Sequence, residues 1–357
     1  MMPDNRDANS APTPFISSLA ADAWHGVSDR YSFERWHFDA LSDDGREALV
    51  ISFYDNYPFS PRYLDRRTFT GDMRSDRHPA VTFLYAVDGK TVMEAVNEWD
   101  GDRFSASSGE VNCSIGDSTF RLEKSNYGSG YLVHIDVITA RRRHIEADLE
   151  WVSIESDLFD LPQAAEKTDV AWNLVAPRSD VSGRIVRTGS RGKTKTVVHF
   201  RGTGYHDHFQ SWRPFQSAIG SRCWGRAHFP DTTAVFQHIE YSDEPAEASC
   251  IALIKKGKIA VSPSSFIRLG NGADGKLPSA DFIGQDGLSI SVRSKTSLQR
   301  GFFEQRMIAD IEISTSDGTQ QTTEGLVEFC RPGGLTNPLY RWMSDLKIGR
   351  NGGSPYF

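Results

Sequence analysis

Phe200–Phe209, FRGTGYHDHF, and Arg222–Phe229, RCWGRAHF, decide how this chain is read. The run leading in, TKTVVHFRGTGY (194–205), is rich in Thr and Val and alternates as a strand does. Successive strand side chains point to opposite faces. Tyr205 and Asp207 therefore share one face and His206 and His208 the other, while Trp224, Arg226 and His228 share a face of the following strand. Three readings are open for so many polar groups: a metal site, an acid–base site, or a polar strand end. His206-x-His208 imitates half of a metal ligand set, with His199, His228 and His238 as further donors, yet no carboxylate follows at ligand spacing. A lone His-x-His on a β protein is more often a satisfied polar pair. No metal is expected.

The same alternation recurs outward in both directions. EALVISFYDN, AVTFLYAV, YLVHIDVIT, TAVFQHIEY, CIALIKKGKIAV and LVEFCR read as short strands. Asp44-Gly45, Asp88-Gly89, Asp100-Gly101, Asn271-Gly272, Asp274-Gly275 and Asp317-Gly318 supply turn chemistry between them. Helical spacing is nearly absent, with RWMSDLKI as one short helix. Many antiparallel strands imply an all-β sandwich or closed barrel, because closure removes exposed edges. At 357 residues two β units fit better than one. The expected division is a disordered segment over 1–24, an N-terminal β domain over 25–212 and a C-terminal β-barrel over 213–350, meeting near 208–216. Leu161–Lys195, with LPQAAEKTD, APRSD and TGSRGKTK, reads as an irregular excursion.

Composition narrows the function. Forty basic against forty-seven acidic side chains give a net charge of −7, which argues against a general nucleic-acid binder. Arg141–Arg143 reads as a solvated turn. No stretch has transmembrane length and the N-terminus lacks a secretory pattern, so a cytoplasmic protein without stable membrane insertion is expected. Cys113, Cys223, Cys250 and Cys330 form no CxxC pair and read as buried thiols. There is no GxGxxG in a βαβ context, no Walker loop and no HExxH, so no cofactor is expected.

Several motifs resemble one family. ERWHFDALSDDGREALVISFYDNYPFSPRY (34–63) resembles the opening of the carotenoid 1,2-hydratase (hydroxyneurosporene synthase) family. GTGYHDHF (202–209) resembles its G-x-G-Y-x-D segment, SRCWGRAHFPDTTAVF (221–236) its Trp-Arg-His strand pair, and GLVEFCRP (325–332) its closing strand. The superfamily also includes fungal Diels–Alderases. The resemblance, running from about Tyr31 to Arg341, implies two lipocalin-like β domains with a ligand pocket between or within them. It makes Tyr205 and Asp207 a pocket-facing pair, Asp207 being the proton donor to an alkene. The segment departs from the hydratase pattern at Arg35 and His37, which flank Trp36, and after Asp207.

Acid chemistry asks for a carboxyl whose pKa is raised by burial, whereas a guanidinium nearby, here Arg226, would keep it charged. Trp224 offers a π face for developing positive charge, and Arg226 a donor to a carbonyl or enolate oxygen. His228 joins them on the same strand face. Trp36, Tyr54, Phe59 and Tyr63 are candidate apolar contacts, the last three in a proline-stiffened aromatic stretch suited to a pocket rim. The leading expectation is a cofactor-independent cyclase of secondary metabolism, of the Diels–Alder or hetero-Diels–Alder type. The alternatives are the hydratase itself and a non-catalytic lipocalin-like carrier. The expected partner is a hydrophobic small molecule, and a homodimer is left open.

Overall fold

Residues 15–26, 29–64, 76–126, 128–158, 170–189, 195–242, 247–269 and 278–356 are described by the structure, a computed structural model. Alternating sequence becomes two β layers. One is a thirteen-stranded sheet and the other a closed barrel of eight strands spanning Ile219–Cys330. In the sheet Phe33–Ser42 lies between Glu47–Tyr54 and Lys195–Ser211, and the latter pairs on its other side with Val170–Thr188. The sheet curls on itself, because residues from strands far apart in its order share one core. Trp36 meets Phe120 with ring centroids 5.6 Å apart, and Phe38 meets Tyr131 at 5.5 Å. The barrel has its own interior of Cys223, Phe236, Ile251, Phe282, Met307 and Ile311.

The outer face of the barrel packs on the sheet. Leu41, Val50 and Leu84 of the sheet cluster with Leu298, Ile308 and Leu326 of the barrel. Because Cys223 and Ala227 point into the barrel, Trp224, Arg226 and His228 point out of it, toward the sheet. The glycines of GTG are required by close approach. A Cβ on Gly202 would lie 2.1 Å from the Leu41 carbonyl oxygen, and one on Gly204 2.4 Å from Val181.

Asp44-Gly45, Asp88-Gly89 and Asp317-Gly318 turn the chain as expected, each glycine at positive φ. Asp100-Gly101 instead opens a short 3-10 turn, and Asn271-Gly272 and Asp274-Gly275 lie outside the described residues. Two readings are corrected. Val170–Thr188 is a nineteen-residue strand, not an irregular excursion. Its register shifts between Asn173 and Ala176 and again between Ala176 and Ser179 break the alternation that would have marked it. The segment 15–24 is ordered: Phe15–Ile16 pairs in parallel with Trp172–Asn173, and Asp22 is buried. Residues 1–14 lie outside the described residues. The chain also does not end on the barrel, since Gly349–Arg350 pairs with the Lys90–Glu98 strand of the sheet. The C-terminal helix is Pro338–Asp345, capped by the Asn337 side chain, which accepts from the Leu339 N–H. Cys113, Cys223, Cys250 and Cys330 are all buried, and none is in a disulfide. Among the described residues no helix is long and apolar enough to cross a membrane.

Candidate functional site

A cleft of about 370 Å³ opens where the sheet meets the barrel, lined by Tyr57, Phe59, Val96, Leu298, Phe303 and Glu304. Phe59 and Phe303 stand with parallel rings 6.0 Å apart. Phe59 and Glu304 also wall a small inner chamber of about 10 Å³, whose other sides include Arg35, Tyr54, Phe209, Arg222 and Glu328.

Strand register builds the chamber's charged wall. On the barrel, Glu328 sits between Arg306 and Trp224, and Cys330 between Glu304 and Arg222. Glu328 collects three donors: Arg35 Nη1 at 3.0 Å, Trp224 Nε1 at 3.0 Å and Arg306 Nε at 3.2 Å. Burial opposes its charge, but Arg35 and Arg306 more than offset that and hold the carboxyl well below its ordinary range. Glu304 goes the other way. Burial drives its carboxyl up to about 8, with Glu328 pushing in the same direction, although Arg306 Nη2 donates to it at 2.6 Å. Glu304 is thus an acid that keeps its proton at neutral pH while lining the cleft, the arrangement a proton or hydrogen-bond donor needs.

Asp207 is deeper. Its Oδ2 accepts from Trp172 Nε1 at 2.7 Å and from the Tyr205 hydroxyl at 2.9 Å, and Oδ1 has no hydrogen-bond donor. Burial and Asp207 both push the Tyr205 hydroxyl well above its ordinary pKa. Trp224 reaches Tyr205 (ring centroids 5.6 Å) by face-to-face packing of sheet and barrel. One expectation about Asp207 is corrected. Arg226 does not pair with Asp207. Its Nε donates to Asp39 Oδ1 at 2.7 Å, and the guanidinium nearest Asp207 is Arg35, 3.7 Å from Oδ1.

The remaining sequence candidates divide. Tyr54 and Phe59 line the chamber or the cleft. Tyr63 is buried with its hydroxyl donating to the Tyr31 carbonyl, away from both spaces. Trp36 lies on the opposite face of its strand, stacked on His208 with Nε1 donating to the Asp22 carbonyl at 2.9 Å. His228 Nε2 contacts the Pro177 carbonyl at 2.9 Å, and burial and Arg226 hold its imidazole down at about 3. It is a neutral hydrogen-bonding group. Sequence reading missed Glu304, Arg306, Glu328, Arg35 and Arg222. The available signal was an acid inside the apolar run GLVEFC and the alternation of Glu304 and Arg306 at the start of EQRMIADIEIS.

Across the sheet, His25, Glu34 and His208 bring three potential metal ligand atoms within 4.8 Å of one another. Asp22 links this group to His206, Nε2 to Oδ2 being 3.0 Å. Burial lowers the His208 pKa, but the carboxylates of Asp22 and Glu34 outweigh it and raise the ring to about 9. The His208 ring lies between the two acids, 3.3 Å from Asp22 and 3.0 Å from Glu34. The group lies on the face of the Lys195–Ser211 strand away from Asp207 and the cleft.

No family model matches the chain. A curated relative, the hydroxyneurosporene dehydrogenase of Chlorobaculum tepidum, is 23% identical over 354 residues, covering 92% of this chain and 90% of the relative. Among solved structures, CghA superposes with a TM-score of 0.56 at 12% identity over 92% of this chain and 96% of its own. CghA with Sch210972 gives 0.55 at 13% identity over 90% of this chain and 96% of its own. A putative AttH from Nitrosomonas europaea gives 0.58 at 13% identity, covering 90% of this chain and 99% of its own. These structures share the lipocalin-like fold. The sequence match runs the length of both proteins, so the chain is similar over its whole length to a protein of the carotenoid 1,2-hydratase-like superfamily.

Proposed function

We propose that this protein is a cofactor-independent enzyme that closes a ring in a flexible, largely apolar substrate held in the cleft between sheet and barrel, by a cycloaddition of the Diels–Alder or hetero-Diels–Alder type. The observation that carries the reading is a cleft with Tyr57, Phe59 and Phe303 on its walls and, beside them, an acid whose pKa burial raises, Glu304; Glu94, Arg300 and Lys347 also line it. The cleft walls, Tyr57, Phe59, Val96, Leu298 and Phe303 among them, confine a flexible chain in a folded conformation, removing conformational entropy before the barrier. Glu304 O–H then donates to an oxygen conjugated with the reacting alkene, drawing electron density from it. No redox group or metal enters this chemistry. Likeness to the hydroxyneurosporene dehydrogenase supports an enzyme over a simple carrier.

Hydration of an alkene is the second reading, favoured by Asp207. Its Oδ1 has no hydrogen-bond donor, and the carboxyl packs among Tyr205, Trp172 and Trp224. The test is a host from which the gene has been deleted. The intermediate that accumulates is isolated and incubated with purified protein, and the product is weighed by mass spectrometry. A cyclised product of unchanged mass supports the proposal. Gain of one water, with label taken up from H₂¹⁸O, establishes hydration instead, and an unchanged intermediate points to a carrier.

A further inference from the structure

We infer that the inner chamber is an anion subsite, in which Arg35 and Arg222 hold a carboxylate or enolate oxygen of the substrate while its apolar body lies in the cleft. The inference rests on the cleft being the substrate site, as proposed above.

The first ground is pairing. Arg35 lies 3.0 Å from a Glu328 carboxylate oxygen, and Arg306 lies 3.2 Å from Glu328 and 2.6 Å from Glu304. Arg222, which is 2% exposed, has no such carboxylate partner among the described residues: its Nε donates to an amide oxygen, Gln237 Oε1, at 2.8 Å. Burial, and then the nearby Arg35, lower the Arg222 pKa to about 10, so it stays charged at neutral pH. A buried unpaired charge is costly and is rarely kept without a use.

The second ground is hydrogen bonding. Arg222 Nη2, Arg35 Nη2 and Arg35 Nε are all buried without an acceptor. The flat faces of the two groups are covered by rings. The Arg222 guanidinium lies 4.4 Å from the Phe209 centroid and 5.2 Å from that of Trp172, and both arginines lie 5.5 Å from Trp224. With faces stacked, the N–H edges are what remains to bind a ligand, and a planar anion meets guanidinium edge-on. A chamber of about 10 Å³ has room for about one polar atom, so it takes the oxygen head and excludes a ring or chain. A substrate of this kind is an acid or an acidic enol, not a hydrocarbon.

Decanoate and 1-decanol test this directly. Each is titrated at pH 7 into wild type, Arg222→Gln, Arg222→Met and Glu304→Gln, following tryptophan fluorescence and the thermal midpoint. Wild type is expected to bind decanoate at least tenfold more tightly than decanol. Both Arg222 variants should bring the two within about threefold and melt no lower than wild type, because they remove an unpaired buried charge. Glu304→Gln should keep the preference. Equal binding by wild type, or a preference that survives in both Arg222 variants, overturns the anion subsite while leaving the cleft intact. Failure of both ligands to bind overturns the cleft reading and the subsite with it.

Discussion

Replacing Glu304 by glutamine keeps the shape and the acceptor for Arg306 Nη2 but removes the ionisable proton. Burial raises the Glu304 pKa to about 8, which favours the protonated carboxyl at pH 7. If Glu304 only donates a hydrogen bond to a substrate oxygen, the amide N–H replaces it in part. The loss is then a fraction of a strong hydrogen bond, about 1–2 kcal/mol or roughly tenfold in rate. If Glu304 transfers its proton outright, the loss is about 100- to 10,000-fold. Wild-type kcat/KM should fall about tenfold per pH unit above 8, and Glu304→Gln should lose that limb. Stability gives a second readout. Folding raises this pKa from the ordinary 4.5 to about 8, so between those values the native state binds more protons than the unfolded state. Its contribution to stability therefore declines as pH rises from 4.5 to 8, by at most about 1.4 kcal/mol per pH unit. Urea melts across that range should show the decline in wild type and a flatter profile in Glu304→Gln. A variant within threefold of wild type that keeps the alkaline limb would refute the role given to Glu304.

Three further outcomes follow from the same geometry. Asp207→Asn should cost about 1–3 kcal/mol in chemical denaturation, because an amide is placed among donors that Asp207 now satisfies. Its turnover should fall less than about tenfold, whereas a loss of 100-fold or more would move the acid role to Asp207. Arg226→Gln should cost about 3–5 kcal/mol by leaving Asp39 charged and buried, and a cost below about 1 kcal/mol would contradict that pairing. Dialysis against EDTA should leave activity within twofold, because His25, Glu34 and His208 lie across the sheet from the cleft. Activity lost on dialysis and restored by zinc or iron(II) would contradict it.

The local part of this architecture was legible. Alternation put Tyr205 and Asp207 together, and their side chains meet at 2.9 Å. It put His206 and His208 on the other face, where both approach Asp22, at 3.0 and 3.3 Å. It also assigned Trp224, Arg226 and His228 to one face. What it could not assign was what that face meets. The partner of Arg226 is set by how the barrel docks on the sheet, and Asp39 is 187 residues away in sequence. Glu304 illustrates the same limit. Nothing in EQRM distinguishes it from a solvated glutamate, and its acidity changes only when the sheet, Glu328 and the aromatic cleft close around it. Trp36 could be read as core or as pocket, because an aromatic residue serves both equally well on composition, and it lies in the core of the sheet. The Val170–Thr188 strand was hidden by two register shifts around Pro177.

The central claim is that substrate binds between sheet and barrel, not inside the barrel. A crystal structure of the protein soaked with decanoate addresses it most directly. The account predicts the alkyl chain in the cleft, against Phe59 and Phe303, with the carboxylate against Arg222 and Arg35. A ligand lying instead in the barrel interior, among Phe236, Phe282 and Ile311, would contradict it.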